Sequence, residues 1–166
     1  MDRLTADNIR ALATTGERQT LELKLENESQ NDIGVLLASF ANADGGTVLF
    51  GVTNDGQSVG VAKSPALLSR IRAAARSCRP PLTLDLSIYE LVLDGCTVVA
   101  QIPALLGQLY SYNGIYRLRQ GADNVLLLAE EMQHLILDRL VPNFDAQALD
   151  LPLEALDRTL VERLLN

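Results

Sequence analysis

The chain has 166 residues, a net charge of −7 and a sequence pI of about 4.6, with 48% hydrophobic and 21% charged residues. That is enough apolar residue for one domain with a real core, which excludes a disordered polymer; the acidic balance argues against a domain that coats nucleic acid non-specifically, because such binding rests on phosphate neutralisation. No apolar run reaches the ~18–20 residues of a membrane span, no signal peptide is expected at the N-terminus, and Cys78 and Cys96 lack metal-ligand spacing, as expected for reduced thiols in a cytoplasmic protein.

Leu4, Ile9, Leu12 and Ala13 recur at near-helical spacing and predict a short helix over 4–14, ended by Gly16. Thr20 to Leu25 alternates with period two, as a strand does, with Leu21, Leu23 and Leu25 on one face and Thr20, Glu22 and Lys24 on the other. Ser29-Gln30-Asn31-Asp32 matches a capping box, and the helix behind it aligns Ile33, Leu36, Leu37 and Phe40 before Asp44-Gly45-Gly46 stops it. The near-continuous apolar run Thr47 to Val52 predicts a central strand buried on both faces. Asn54-Asp55-Gly56 is turn chemistry and predicts a returning hairpin partner over 57–61. Ser64-Pro65 places a cap and an early proline at the start of a helix that runs to about Cys78, where Arg79-Pro80-Pro81 breaks it. Residues 82–91 and 97–102 predict two strands joined at Leu93-Asp94-Gly95, and Asn113-Gly114 predicts a tight hairpin pairing Tyr112 with Ile115 and Tyr110 with Arg117. Ala129 to Leu140 predicts a helix with Glu130 and Glu131 in its first turn; Pro142 to Asp145 reads as a linker and Leu153 to Leu165 as an acidic amphipathic helix. Mixed strands and helices joined by hairpins give an α+β class with a mixed sheet, organised as a domain over 1–141 and an appended linker and helix over 142–166.

Three groups of residues could carry chemistry. With Asp55 supplied by the turn after the next strand, Glu17, Glu22 and Asp55 would converge at one sheet end. Clustered carboxylates of this kind hold Mg²⁺ or Mn²⁺, the metal activates water against a phosphodiester, and Lys24 would help stabilise the developing charge. The same spacing also fits a solvated strand face beside exposed turns. The second group lies between Lys63 and Arg79, a stretch with five basic residues and no acid: Arg72, Arg76 and Arg79 fall at i, i+4 and i+7, a basic stripe suited to phosphates. The third is the Asn113-Gly114 hairpin, where Tyr110, Tyr112, Ile115, Arg117 and Arg119 share one face; tyrosines among arginines can stack bases and hold phosphates, or form a cation–π pair on a sheet. Gly45-Gly46 enters a strand with no Gly-Lys-Ser/Thr behind it, so it is not a phosphate loop, and His134 alone builds no nucleophilic triad.

The ordered set Glu17…Glu22-Leu23-Lys24, Ala38 to Val52, Asn54-Asp55-Gly56 and Tyr116-Arg117-Leu118-Arg119-Gln120-Gly121-Ala122-Asp123-Asn124 resembles the Schlafen AlbA-type domain, also called divergent AAA. The resemblance covers about residues 10–146. It implies a nucleic-acid-binding module, as in bacterial members described as DNA-binding or transcriptional-regulator domains, in a regulatory or defence context. It also implies an alternative, since animal Schlafens use a related core as a metal-dependent endoribonuclease on structured RNA such as transfer RNA. Their three-acid site aligns with Glu17 and Glu22; the third position falls on Asn54, with Asp55 one residue later. The expected phosphate contacts are Lys24, Arg72, Arg76, Arg79, Arg117 and Arg119, and the expected metal and catalytic set is Glu17, Glu22 and Asp55 with Mg or Mn; a third alternative is a protein-interaction or dimerisation module with no nucleic-acid role, such as a homodimer driven by the apolar helix Leu153–Leu165, and no membrane association is expected.

Overall fold

The computed structural model describes residues 4–92, 95–105 and 107–140. The linker and terminal helix expected over 142–166, and the Leu93-Asp94 part of the strand connection, lie outside them.

Helix α1 (Ala6–Ala13) starts at Thr5, which caps it reciprocally with Asn8. Strand β1 (Leu21–Lys24) leads to helix α2 (Gln30–Ala41), whose N-cap Ser29 accepts from the Asp32 N–H as the sequence predicts, while the Asp32 carboxylate, expected to close a capping box, accepts from the Ser29 hydroxyl at 2.6 Å. Strand β2 (Gly46–Phe50) then returns parallel to β1, with Glu22 opposite Val48 and Lys24 opposite Phe50. After β2 the expected hairpin shrinks to one bridge, Val52 to Ser58, and the chain instead reaches Cys96 through Val61. Helix α3 (Ser64–Ser77) runs without a loop into strand β3 (Cys78–Arg79). Ser64 does not cap it; the Glu26 carboxylate, far back in the chain, accepts from the Ala62 and Lys63 N–H groups at 3.0 and 2.7 Å. That carboxylate satisfies amides just ahead of the helix, where its dipole also favours a negative group.

Strands β4 (Asp85–Val92) and β5 (Gly95–Ile102) pair antiparallel, and β5 also pairs antiparallel with β2, giving a mixed sheet in the order β1-β2-β5-β4. Strands β6 (Ser111–Tyr112), β7 (Ile115–Gln120) and β8 (Asp123–Leu126) join β3 in a second sheet ordered β3-β6-β7-β8, and helix α4 (Ala129–Leu140) follows. The class is α+β with a mixed sheet, as the sequence pattern indicates. The β6–β7 turn has Asn113 and Gly114 both at positive φ, 53° and 74°, the geometry Asn-Gly favours, and it sets Tyr112 opposite Ile115.

The centre of the first sheet is buried on both faces, which is why Val48, Leu49 and Phe50 of β2 are apolar, while the edge strand β4 keeps exposed positions. One face (Leu21, Leu23, Leu49, Val99) packs on Ile9 and Ala13 of α1. The other (Val48, Phe50, Val98, Ala100) meets α2 and α3, and the core continues past α2 to Tyr110 and Tyr112. Contact there is close enough that a Cβ on Gly34 would fall 2.0 Å from the Tyr112 ring, so α2 needs a glycine at that point. Glu22, opposite Val48, therefore points into a covered face and not into solvent. Among the described residues no helix is long and apolar enough to cross a membrane.

Candidate functional site

Two charged regions follow from this architecture. The first is built where Arg119 of β7 reaches across to the start of β1. Arg119 is wholly buried and Glu22 is only 4% exposed. The Arg119 guanidinium donates through Nη2 to Glu22 Oε2, and also to the carbonyls of Arg18 and Leu21 at 3.1 and 3.3 Å. Its Cζ stands 4.8 Å from the centroid of the Phe40 ring, a cation–π contact. Glu22 Oε1 is 2.6 Å from Lys24 Nζ, which is 3.6 Å from Glu17 Oε1. Glu17 Oε1 also accepts from the Leu23 N–H at 3.3 Å. Burial alone pulls the Lys24 ammonium down, yet the Glu22 hydrogen bond and the fields of Glu22, Glu17 and Glu28 outweigh it, so its pKa is held above the ordinary value.

Neighbouring polar residues fix this cluster. Asn124 Oδ1 accepts from Ser39 Oγ at 2.5 Å and from Arg119 Nη1 at 3.4 Å. Gln19 donates to the Arg119 carbonyl at 3.0 Å and to Asp44 at 2.9 Å, and accepts from the Gly121 N–H at 2.7 Å. Asn42, buried at the end of α2, accepts from the Tyr110 N–H and donates to the carbonyls of Tyr110 and Arg117, all within 2.7–2.9 Å. The Arg119…Asn124 part of the sequence signature and the Asn42 part of the first motif thus act together to hold the second sheet on α2 and β1.

The expected placement changes in three respects. Glu22 does not lie on a solvated face; the second sheet covers it. Arg119 is not a surface phosphate contact, because its guanidinium is buried and ion-paired, and the Lys24 ammonium is already engaged by two carboxylates. Tyr110 and Tyr112 are each only 5% exposed, so neither offers a ring for base stacking. As for a metal, Mg²⁺ and Mn²⁺ need several free oxygen ligands. Among the described residues no three His, Cys, Asp or Glu side chains come together to hold one. Asp55 is tied within its own turn, to the Thr53 hydroxyl and, at 2.9 Å, to Gln57 Nε2. Glu17, Glu22 and Asp55 therefore do not fit the three-acid set, and no hydrolytic step follows from them.

The second region is exposed. Arg72 and Arg76, one turn apart on α3, and Arg79 on β3 all reach solvent, and among the described residues no acid pairs with them. Arg79 Nη1 bonds the carbonyls of Arg76 and Cys78, both at 2.9 Å, which steadies the end of the stripe. Arg72 and Arg76 flank an open groove of about 350 Å³ whose opposite wall is Leu82, Thr83, Leu84 and Leu86. Arg117 is half-buried on β7. Sequence reasoning gave no role to Gln19, Asn42 or Asn124; the available signal was the presence of Asn42 and Asn124 in the two motifs, and Gln19 had none.

The chain matches the family model Schlafen, AlbA_2 over residues 17–128. No curated protein matches it. Among solved structures it is similar to the crystal structure of the DIP2311 protein from Corynebacterium diphtheriae, with a TM-score of 0.59 and 16% identity over 80% of this chain. The chain spans 27% of that protein's length, and at this identity the likeness concerns the fold.

Proposed function

This chain belongs to the Schlafen AlbA_2 family, whose domain suggests a nucleic-acid-binding role in general, and from that premise we propose that it is a cytoplasmic nucleic-acid-binding domain that meets phosphates along Arg72, Arg76 and Arg79. The observation that supports this reading is the stripe itself: exposed arginines that no acid pairs with among the described residues, on a chain of net charge −7. Guanidinium groups suit phosphate because their donors form a planar fork. A groove lined by leucines beside them offers shape without an exposed aromatic platform. Contacts of this kind position a backbone and carry little sequence information. Arg117, half-buried on β7, is a secondary contact. A regulatory or defence role is the context that the family resemblance implies.

The test is fluorescence anisotropy of labelled duplex DNA and transfer RNA across a salt series. Binding should weaken with salt, and Arg72→Ala and Arg76→Ala should each lower the slope of log K against log salt by about one. Absence of binding at low salt, or a slope unchanged in both variants, refutes the reading. One further observation favours a second reading as a homodimer: α4 leaves Ile136 and Leu137 exposed at 42% and 49%. Sedimentation across a concentration series decides it, with a single monomeric species counting against it.

A further inference from the structure

We propose that Glu17, Glu22, Lys24 and Arg119 form a charge-balanced fastener between the two sheets, and that this chain has lost the divalent-cation site which the family resemblance implies for its acids. The proposal goes beyond nucleic-acid binding and stands whether or not the chain binds nucleic acid.

The charges balance within the cluster: two carboxylates face one guanidinium and one ammonium. Each oxygen of Glu22 already has a cationic partner, Arg119 on Oε2 and Lys24 on Oε1. A divalent ion at Glu22 would sit beside Arg119, which cannot swing away. Its Nη2 is also bound to two carbonyls around β1, its Nη1 to Asn124, and Phe40 lies against its face. Like charges in a covered, low-dielectric space repel strongly, and Lys24 would have to leave before a metal could enter. Position 54, where the family's third acid falls, carries an exposed amide, and Asp55 is held by Thr53 and Gln57.

The arrangement also supplies a positive role. Among the described residues no backbone ladder joins the β1-β2-β5-β4 sheet to the β3-β6-β7-β8 sheet. Arg119 bridges that gap from β7, binding β1 through the Leu21 carbonyl and the Glu22 carboxylate. The carboxylate sets where the guanidinium rests, and the guanidinium ties β7 to β1 beside the packing of the second sheet on α2.

The experiment measures thermal unfolding and Mn²⁺ binding of the full chain, the latter by the electron paramagnetic resonance signal of free Mn²⁺. Wild type should show the same unfolding midpoint with Mn²⁺ and with EDTA, and no saturable Mn²⁺ uptake. Glu22→Gln should lower the midpoint by several degrees in both buffers, because it leaves Arg119 buried against a neutral group. Arg119→Met should do likewise, and the double variant should lose clearly less than the sum of the two, as residues of one network do. Saturable Mn²⁺ uptake by wild type that raises its midpoint and is reduced in Glu22→Gln would overturn the proposal, as would strict additivity in the double variant. Should Glu22→Gln fail to fold, uptake of Mn²⁺ near one ion per wild-type chain would still overturn it, and its absence together with the Arg119→Met loss would uphold it.

Discussion

Arg119 and Arg76 are the same side chain in opposite circumstances. Arg119 lies under a sheet with a carboxylate, backbone carbonyls and an aromatic ring around it; Arg76 stands on a helix surface with no acid beside it. The first is committed to the fold and the second is available to a ligand. Residue type in the sequence does not separate these roles, and even membership of a recognisable signature misleads, because Arg119 belongs to the signature and Arg76 does not. What separates them is whether another element covers the side chain.

Substitutions can break this contrast directly. Arg119→Ala should give the largest effect, a loss of about 3–5 kcal/mol by urea denaturation, because removing one member of a buried pair strands the other. A loss under about 1 kcal/mol would place Arg119 with the surface arginines. Asn42→Ala should follow at about 3 kcal/mol in the same assay, since it unpairs the Tyr110 N–H and two buried carbonyls. The double variant Arg72→Ala/Arg76→Ala should change stability by less than about 0.5 kcal/mol, while lowering the salt slope of nucleic-acid binding by about two; a change in stability with no change in slope would reverse the contrast. The smallest effect is expected from Lys24. Its folded-state pKa lies above the unfolded value, so its stabilisation is whole below the ordinary lysine pKa of about 10.4 and is lost as pH rises through the folded value. Urea midpoints between about pH 8 and 11, a range spanning that ordinary value, should decline at the alkaline end in wild type and decline less in Lys24→Met.

Much of the backbone is legible in the sequence, because local chemistry decides it. The Ser29 cap, the apolar run of β2, the Asn113-Gly114 turn with its Tyr112–Ile115 register and the Ala129–Leu140 helix all follow from periodicity and turn residues. The misses share a cause. Period-two alternation correctly separates Glu22 from Leu21 and Leu23, but alternation names a face and not what lies over it; here the second sheet does. Tyr110 and Tyr112 are hidden for the same reason, turned toward α2. The expected hairpin partner over 57–61 forms only in part, because turn chemistry fixes the bend and not the partner: the chain returns against Val52 at Ser58, then Val61 pairs with Cys96 instead. Ser64 is the first residue of α3 and caps nothing; the Glu26 carboxylate instead holds the Ala62 and Lys63 amides just ahead of the helix, a contact between residues too far apart in sequence for any local pattern to register.

Helix α3 passes into β3 with no residue between Ser77 and Cys78. The helix that carries Arg72 and Arg76 and the edge strand that pairs with β6 are therefore joined with no loop between them to take up slack. Loops elsewhere can lengthen at little cost, but an insertion here would shift Arg79 out of register with Ser111 and turn the end of the stripe away from its start. The joint is a point of fixed length, and it ties how far the exposed arginines can move to how firmly the small sheet is seated.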